Sequence, residues 1–197
     1  MNNILIGRHI NISKGFTTTA DYANQQQSNV FQIFLKSPQS IKAKSNIENN
    51  EYITLSNKII NYNQIMMIHG SYVLNFCHPP DSQLHLSAID NLVNDLNDSV
   101  KLGAIGVIVH MGHNTGKLTV EEATNNFANG IRSALNKTKD STIIFETGAG
   151  QGKEICTSLF DLGDLRRKFT QSEKSRIKFC IDTCHIFAAG YDLGNIH

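Results

Sequence analysis

What most limits the folds open to this chain is a recurring pattern. Short apolar runs each close on a side chain able to hold a metal or a proton. Ile4-Leu5-Ile6 leads to His9, Met66-Met67-Ile68 to His69, and Val107-Ile108-Val109 to His110. Ile143-Ile144-Phe145 leads to Glu146, and Phe179-Cys180-Ile181 to Asp182. Runs of this length and makeup read as strands buried on both faces. Stretches of helical spacing lie between them. Leu86, Ile89, Val93, Leu96 and Val100 recur every three or four residues, with Gly103 placed as a C-cap. Thr119-Val120-Glu121-Glu122 has the capping-box pattern ahead of Ala123, Phe127, Ile131 and Leu135. One His at a strand end is most often a packed or solvated residue. A series of ligand-type residues at successive strand ends points to one shared rim.

The strands read as Asn3 to His9, Val30 to Leu35, Gln64 to Ile68, Ile105 to Val109, Thr142 to Phe145 and Ile177 to Ile181. Further helices are expected over Phe16 to Gln27, over Asn46 to Asn63, and along Leu159, Leu162, Leu165 and Phe169. Six such repeats imply a parallel sheet covered by helices. A closed (β/α) barrel has eight units in about 250 residues and keeps its chemistry at the carboxyl ends of its strands. The expected fold is therefore α/β: an incomplete TIM barrel, one domain over residues 1–197, lacking the last two βα units. A doubly wound open sheet is the alternative. It would not gather ligands from so many strands at one point.

A formal net charge of +1 excludes nucleic-acid binding by bulk charge, so any such binding needs a local patch. No run approaches the roughly 18 apolar residues of a membrane span. The start, Met1-Asn2-Asn3-Ile4, shows no charged region ahead of an apolar one, so no signal peptide is expected and the location reads as intracellular. Cys77, Cys156, Cys180 and Cys184 form no CxxC pair and read as reduced thiols. His78, His85 and His113 read as non-ligands. Arg166-Arg167-Lys168 reads as a solvated helix face.

Four stretches carry a resemblance. They are Ile68-His69-Gly70-Ser71-Tyr72, Val109-His110-Met111-Gly112, Glu146-Thr147-Gly148-Ala149-Gly150-Gln151-Gly152, and the long Cys180-Ile181-Asp182-Thr183-Cys184-His185-Ile186-Phe187-Ala188-Ala189-Gly190-Tyr191-Asp192. Together they resemble the endonuclease IV family of AP endonucleases. The resemblance implies a zinc-dependent TIM-barrel hydrolase acting on double-stranded DNA with abasic sites. Such an enzyme cuts the backbone 5′ to the lesion and trims blocked 3′ ends in base excision repair. It further implies His69 and His110 as imidazoles on a first Zn2+, and Glu146 as the catalytic carboxylate bridging first and second ions. Asp182 falls on the second ion and His185 on the third. Tyr72 and Asn75 fall in a DNA-entering loop, and Lys36 and Gln39 in another. His9 belongs to a Gly-x-His motif and is not a ligand.

The sequence also departs from that pattern. Gln39 and Ile41 stand where bacterial members carry an inserting Arg and a Trp. Gly70 stands in place of an acidic residue. The His, Asp-x-His and final Glu of the last two strands are absent, so one zinc of three keeps its full ligand set. Lys36, Lys42 and Lys44 are expected on DNA phosphates. The resemblance implies a monomer, while unpaired first and sixth strands invite association. Two other functions are open on the residues alone: a divalent-metal sugar isomerase or epimerase, and a catalytically impaired DNA-binding remnant.

Overall fold

The computed structural model describes residues 4–39 and 45–194. Ile41, Lys42 and Lys44 lie outside the described residues. The strands are β1 (Gly7–His9), β2 (Val30–Ile33), β3 (Ile65–His69), β4 (Val107–His110), β5 (Ile143–Glu146) and β6 (Ile177–Cys180). The α-helices are α1 (Thr19–Gln25), α2 (Asn49–Asn61), α3 (Gln83–Leu102), α4 (Val120–Asn136), α5 (Leu159–Arg167), α6 (Gln171–Ser175) and α7 (Thr183–Ala188). All five strand pairings are parallel, in the order β1-β2-β3-β4-β5-β6. A doubly wound sheet reverses its strand order at a switch point. This sheet never does, as in a barrel wall.

Side-chain alternation along the strands separates two faces. Phe31, Ile33, Met66, Ile68, Val107, Val109, Ile143, Phe145 and Ile177 join the core shared with the helices, including Leu55, Leu92, Leu96, Phe127, Ile131 and Leu165. Each fully buried side chain of this kind contributes about 1.5–3 kcal/mol. The alternate positions, such as Met67, Ile108 and Ile144, lie on the opposite face and lead to His69, His110 and Glu146. Register places His110 beside Glu146 and Glu146 beside Cys180. The periodicity that buries the outer face therefore delivers the ligand-type residues to one edge of the inner face.

Local signals hold the helices in place. The Thr119 side chain accepts from Glu122 N–H and the Glu122 side chain returns to the Thr119 backbone, closing the expected capping box of α4. Gly103 ends α3 at φ 66°, the left-handed position that suits glycine. Two expectations need correction. The first strand is not a buried run from Asn3: only Gly7–His9 pairs, and Ile4 is 78% exposed. Among the described residues β1 has one neighbour in the sheet, and the side chains of Leu5 and Ile6 before it also stay exposed. The helix through Phe169 stops at Arg167, and the short α6 follows. Among the described residues, no helix is long and apolar enough to cross a membrane.

Candidate metal centre

β3, β4 and β5 each end on a residue of the site, and α7 supplies the rest. His69 Nε2 lies 3.3 Å from Glu146 Oε2, and His110 Nε2 lies 3.2 Å from the same oxygen. His185 Nδ1 stands 3.8 Å from Glu146 Oε1, and His185 Nε2 stands 3.9 Å from Asp182 Oδ2. Two metal-capable groups result: His69, His110 and Glu146, then Glu146, Asp182 and His185. Glu146 belongs to both, as expected of a bridging carboxylate. No cysteine takes part in either group among the described residues.

The hydrogen bonds around the rings indicate what the site is built to hold. His69 Nδ1 is 2.8 Å from the Gly70 carbonyl, so in the neutral ring Nδ1 carries the proton and Nε2 the lone pair. That lone pair faces a carboxylate oxygen. His110 Nε2 and Glu146 Oε2 are both buried and have no hydrogen-bond partner. Burial holds the His110 ring below its ordinary value; Glu146 opposes this, and the His69 and His185 rings add to it. A neutral His110 thus adds another nitrogen donor beside the carboxylate. A buried polar atom left unsatisfied costs about 1–3 kcal/mol. A cation among these lone pairs would satisfy them at once. Two imidazole nitrogens and a carboxylate oxygen with an open fourth position form a zinc-type donor set. The residues present therefore fit zinc.

The second group rests on a helix start. Asp182 is the N-cap of α7, and its Oδ1 accepts from His185 N–H at 2.9 Å. Burial pushes its carboxyl up, yet the backbone bond from His185, the His185 ring and the Cys184 backbone outweigh burial and hold it below the usual carboxylate range.

The other expected residues divide. Tyr72 is 55% exposed and meets the rings of His69 and His110 edge-on, each at 5.3 Å between centroids. Its backbone N–H donates to Pro38 carbonyl at 2.9 Å, which joins its loop to the one carrying Gln39. Gln39 is exposed. Asn75 is occupied within the fold. Its amide donates to His113 carbonyl and its oxygen accepts from Cys77 and His113 N–H, so it clamps two loops together. Lys36 differs from expectation more sharply. Its ammonium lies 2.7 Å from Asp95, with side chains only 9% and 2% exposed, so the charge is committed to an internal ion pair. His9 is exposed beside Phe34, at 4.6 Å between ring centroids, and lies in neither metal-capable group.

Two residues of the site escaped the sequence reading. Thr147, 2% exposed, bonds to both Asp182 and His185. Glu154 lies over Gly148, where an added Cβ would stand 2.5 Å from the carboxyl carbon, and accepts from Gly150 N–H. A buried hydroxyl right after a strand-end carboxylate was the one available hint for Thr147. Glu154 gave none.

The sequence pattern of the Xylose isomerase-like TIM barrel matches residues 20–196. The chain belongs to that family. A protein of Acanthamoeba polyphaga mimivirus carrying the name endonuclease 4 is 45% identical over 195 residues, covering 96% of this chain and 62% of its own. A protein of Symbiobacterium thermophilum with the same name is 33% identical over 186 residues, covering 94% of this chain and 66% of its own. The crystal structure of endonuclease IV from Thermus thermophilus superposes with a TM-score of 0.77 at 24% identity, covering 94% of this chain and 66% of that one. The resemblance to endonuclease IV read from the four motifs thus extends along nearly the whole chain. The chain spans about two thirds or less of the length of these relatives.

Proposed function

We propose that this chain carries the metal centre of a zinc-dependent AP endonuclease, hydrolysing the DNA phosphodiester 5′ to abasic sites and trimming 3′ ends. The observation that carries this reading is the meeting of His69, His110 and Glu146 within hydrogen-bonding range, with two buried atoms unpartnered. The endonuclease 4 names of the relatives support the substrate class. Bound zinc would supply a hydrolytic nucleophile at neutral pH and neutralise charge on the phosphoryl oxygens.

The chain's own residues have distinct parts in this reading. His69 and His110 would hold the first ion, their Nε2 atoms both lying beside Glu146. Glu146 spans both groups and offsets the repulsion of two like charges. Asp182 and His185 would together hold the second ion, because His185 groups with Asp182 and Glu146 and not apart from them on a third ion as the resemblance implies. Tyr72, an exposed ring at the rim, offers a flat face to a sugar or base. An abasic nucleotide has no base to unpair, so bringing it to the rim costs little. Such a protein works where DNA is, inside the cell or its nucleus. A sugar isomerase would share the fold, but the relatives that are 45% and 33% identical carry endonuclease names, which favours DNA over a small polyol.

A duplex with one central abasic analogue tests the reading. The zinc-loaded chain is expected to nick it on the 5′ side, slowly, and His69→Ala to abolish the nick. Five ligands with one shared leave places for two ions, so elemental analysis is expected to find at most two zincs per chain. Damage-selective binding with no nick would leave the impaired-remnant reading. No damage-selective binding at all would sink the DNA assignment, and three tightly held zincs would contradict the ligand count.

A further inference from the structure

Thr147 stands one residue beyond Glu146 and ligates nothing, yet three bonds converge on it. Its backbone N–H donates to Cys180 carbonyl at 3.0 Å. Its hydroxyl accepts from Asp182 N–H at 3.0 Å. Its carbonyl lies 2.7 Å from His185 Nδ1. The first bond holds β5 to β6 at their ends. The second fixes the backbone of Asp182, and so the start of α7. The third puts the His185 proton on Nδ1 and leaves its Nε2 lone pair facing Asp182 Oδ2, 3.9 Å away. The residue is 2% exposed, and of the three bonds only the one to Asp182 N–H is made by its side chain.

We infer that Thr147 is the positioning residue of the second metal group. It sets the tautomer of His185 and the placement of Asp182 from one buried point, while Glu146 beside it serves both groups. The first group has its own equivalent in the Gly70 carbonyl on His69, so it does not depend on Thr147. Partners of this kind commonly change metal affinity by roughly 10- to 100-fold. The inference rests on the metal reading above, and its test separates the two.

Thr147→Val keeps the branched shape and the backbone carbonyl and loses the hydroxyl. Thr147→Ser keeps the hydroxyl. The first arm uses metal-free protein. Hydrogen exchange at the Asp182 amide and 15N shifts of the His185 ring are recorded by NMR for the wild type and both variants. The wild type is expected to show a protected amide and an Nδ1-protonated ring. Thr147→Val is expected to lose the amide protection while its carbonyl keeps the ring Nδ1-protonated, and Thr147→Ser to retain both signatures. The second arm titrates Co2+ into the same proteins and follows its visible absorption. In Thr147→Val one of the two steps is expected to fall roughly 10- to 100-fold while the other holds, with Thr147→Ser restoring the wild-type pattern. An Asp182 amide still protected in Thr147→Val overturns the inference, as does equal loss at both steps. A wild type that keeps the NMR signatures and binds no Co2+ overturns the metal reading and leaves the positioning role upheld by the first arm.

Discussion

Replacing Lys36 by methionine keeps most of the side chain's length and removes its charge. In the native protein Lys36 pairs with Asp95 at 2.7 Å inside the fold. Burial pushes the Asp95 carboxyl up to about 6 from an ordinary 3.8, even though the Lys36 charge and hydrogen bond pull it down. The folded chain thus holds this proton more tightly than the unfolded chain does. Stability from Asp95 is fully present below 3.8 and is lost as pH rises through about 6. Without Lys36 the downward pull disappears, and the folded value climbs further. Near pH ~5 the carboxyl is protonated in both proteins, so the substitution costs only local packing. Above pH ~6 the added cost grows by about 1.4 kcal/mol per pH unit until the new value is reached. Breaking a buried pair from one side costs ~3–5 kcal/mol, so the loss at pH ~8 is expected to approach that range. Urea unfolding of wild type and Lys36→Met at the two pH values measures the difference. An equal cost at both, or a loss under ~1 kcal/mol at the higher pH, would refute the reasoning. A phosphate role for Lys36 makes the opposite forecast: unchanged stability, and a salt slope of DNA binding shallower by about 0.9.

Two further outcomes are expected. Zn2+ at about 100 times its Kd is expected to raise wild-type stability by about 2.7 kcal/mol, visible as a higher Tm; an equal rise in His110→Ala would remove the first group from the site. Arg176 donates to the carbonyls of Leu135, Thr138 and Ser141 and to the hydroxyls of Thr138 and Ser141, bracing the end of α4 against β6. Arg176→Met is expected to cost about 2–3 kcal/mol in urea unfolding, and a midpoint within error of wild type would show the brace to be redundant.

The sheet and the grouping of His69, His110 and Glu146 were legible in the sequence because both follow from alternation. Once Met66 and Ile68 face the helices, His69 must face inward, and the same holds for His110 after Val109 and for Glu146 after Phe145. The capping box at Thr119 and the glycine end at Gly103 are local, so they too could be read. What the sequence concealed depends on contacts between distant residues. Lys36 read as a phosphate contact because its partner, Asp95, lies 59 positions away. Asn75 looked like a rim residue, and its clamp to His113 spans 38 positions. The apolar run before Gly7 resembled a covered strand, since hydrophobic pattern reports what a residue can bury and not whether a neighbour is there. Thr147 gave little sign because its role lies in the positions of three bonds.

Asp182 both begins a helix and borders the rim. One of its oxygens is tethered to the amide of His185, and the remaining oxygen alone can turn toward a guest. Its grip is therefore single-pronged, and its reach is set by where α7 starts and not by its own torsions. Lengthening it by a methylene would free the arm and unfasten the helix in the same stroke.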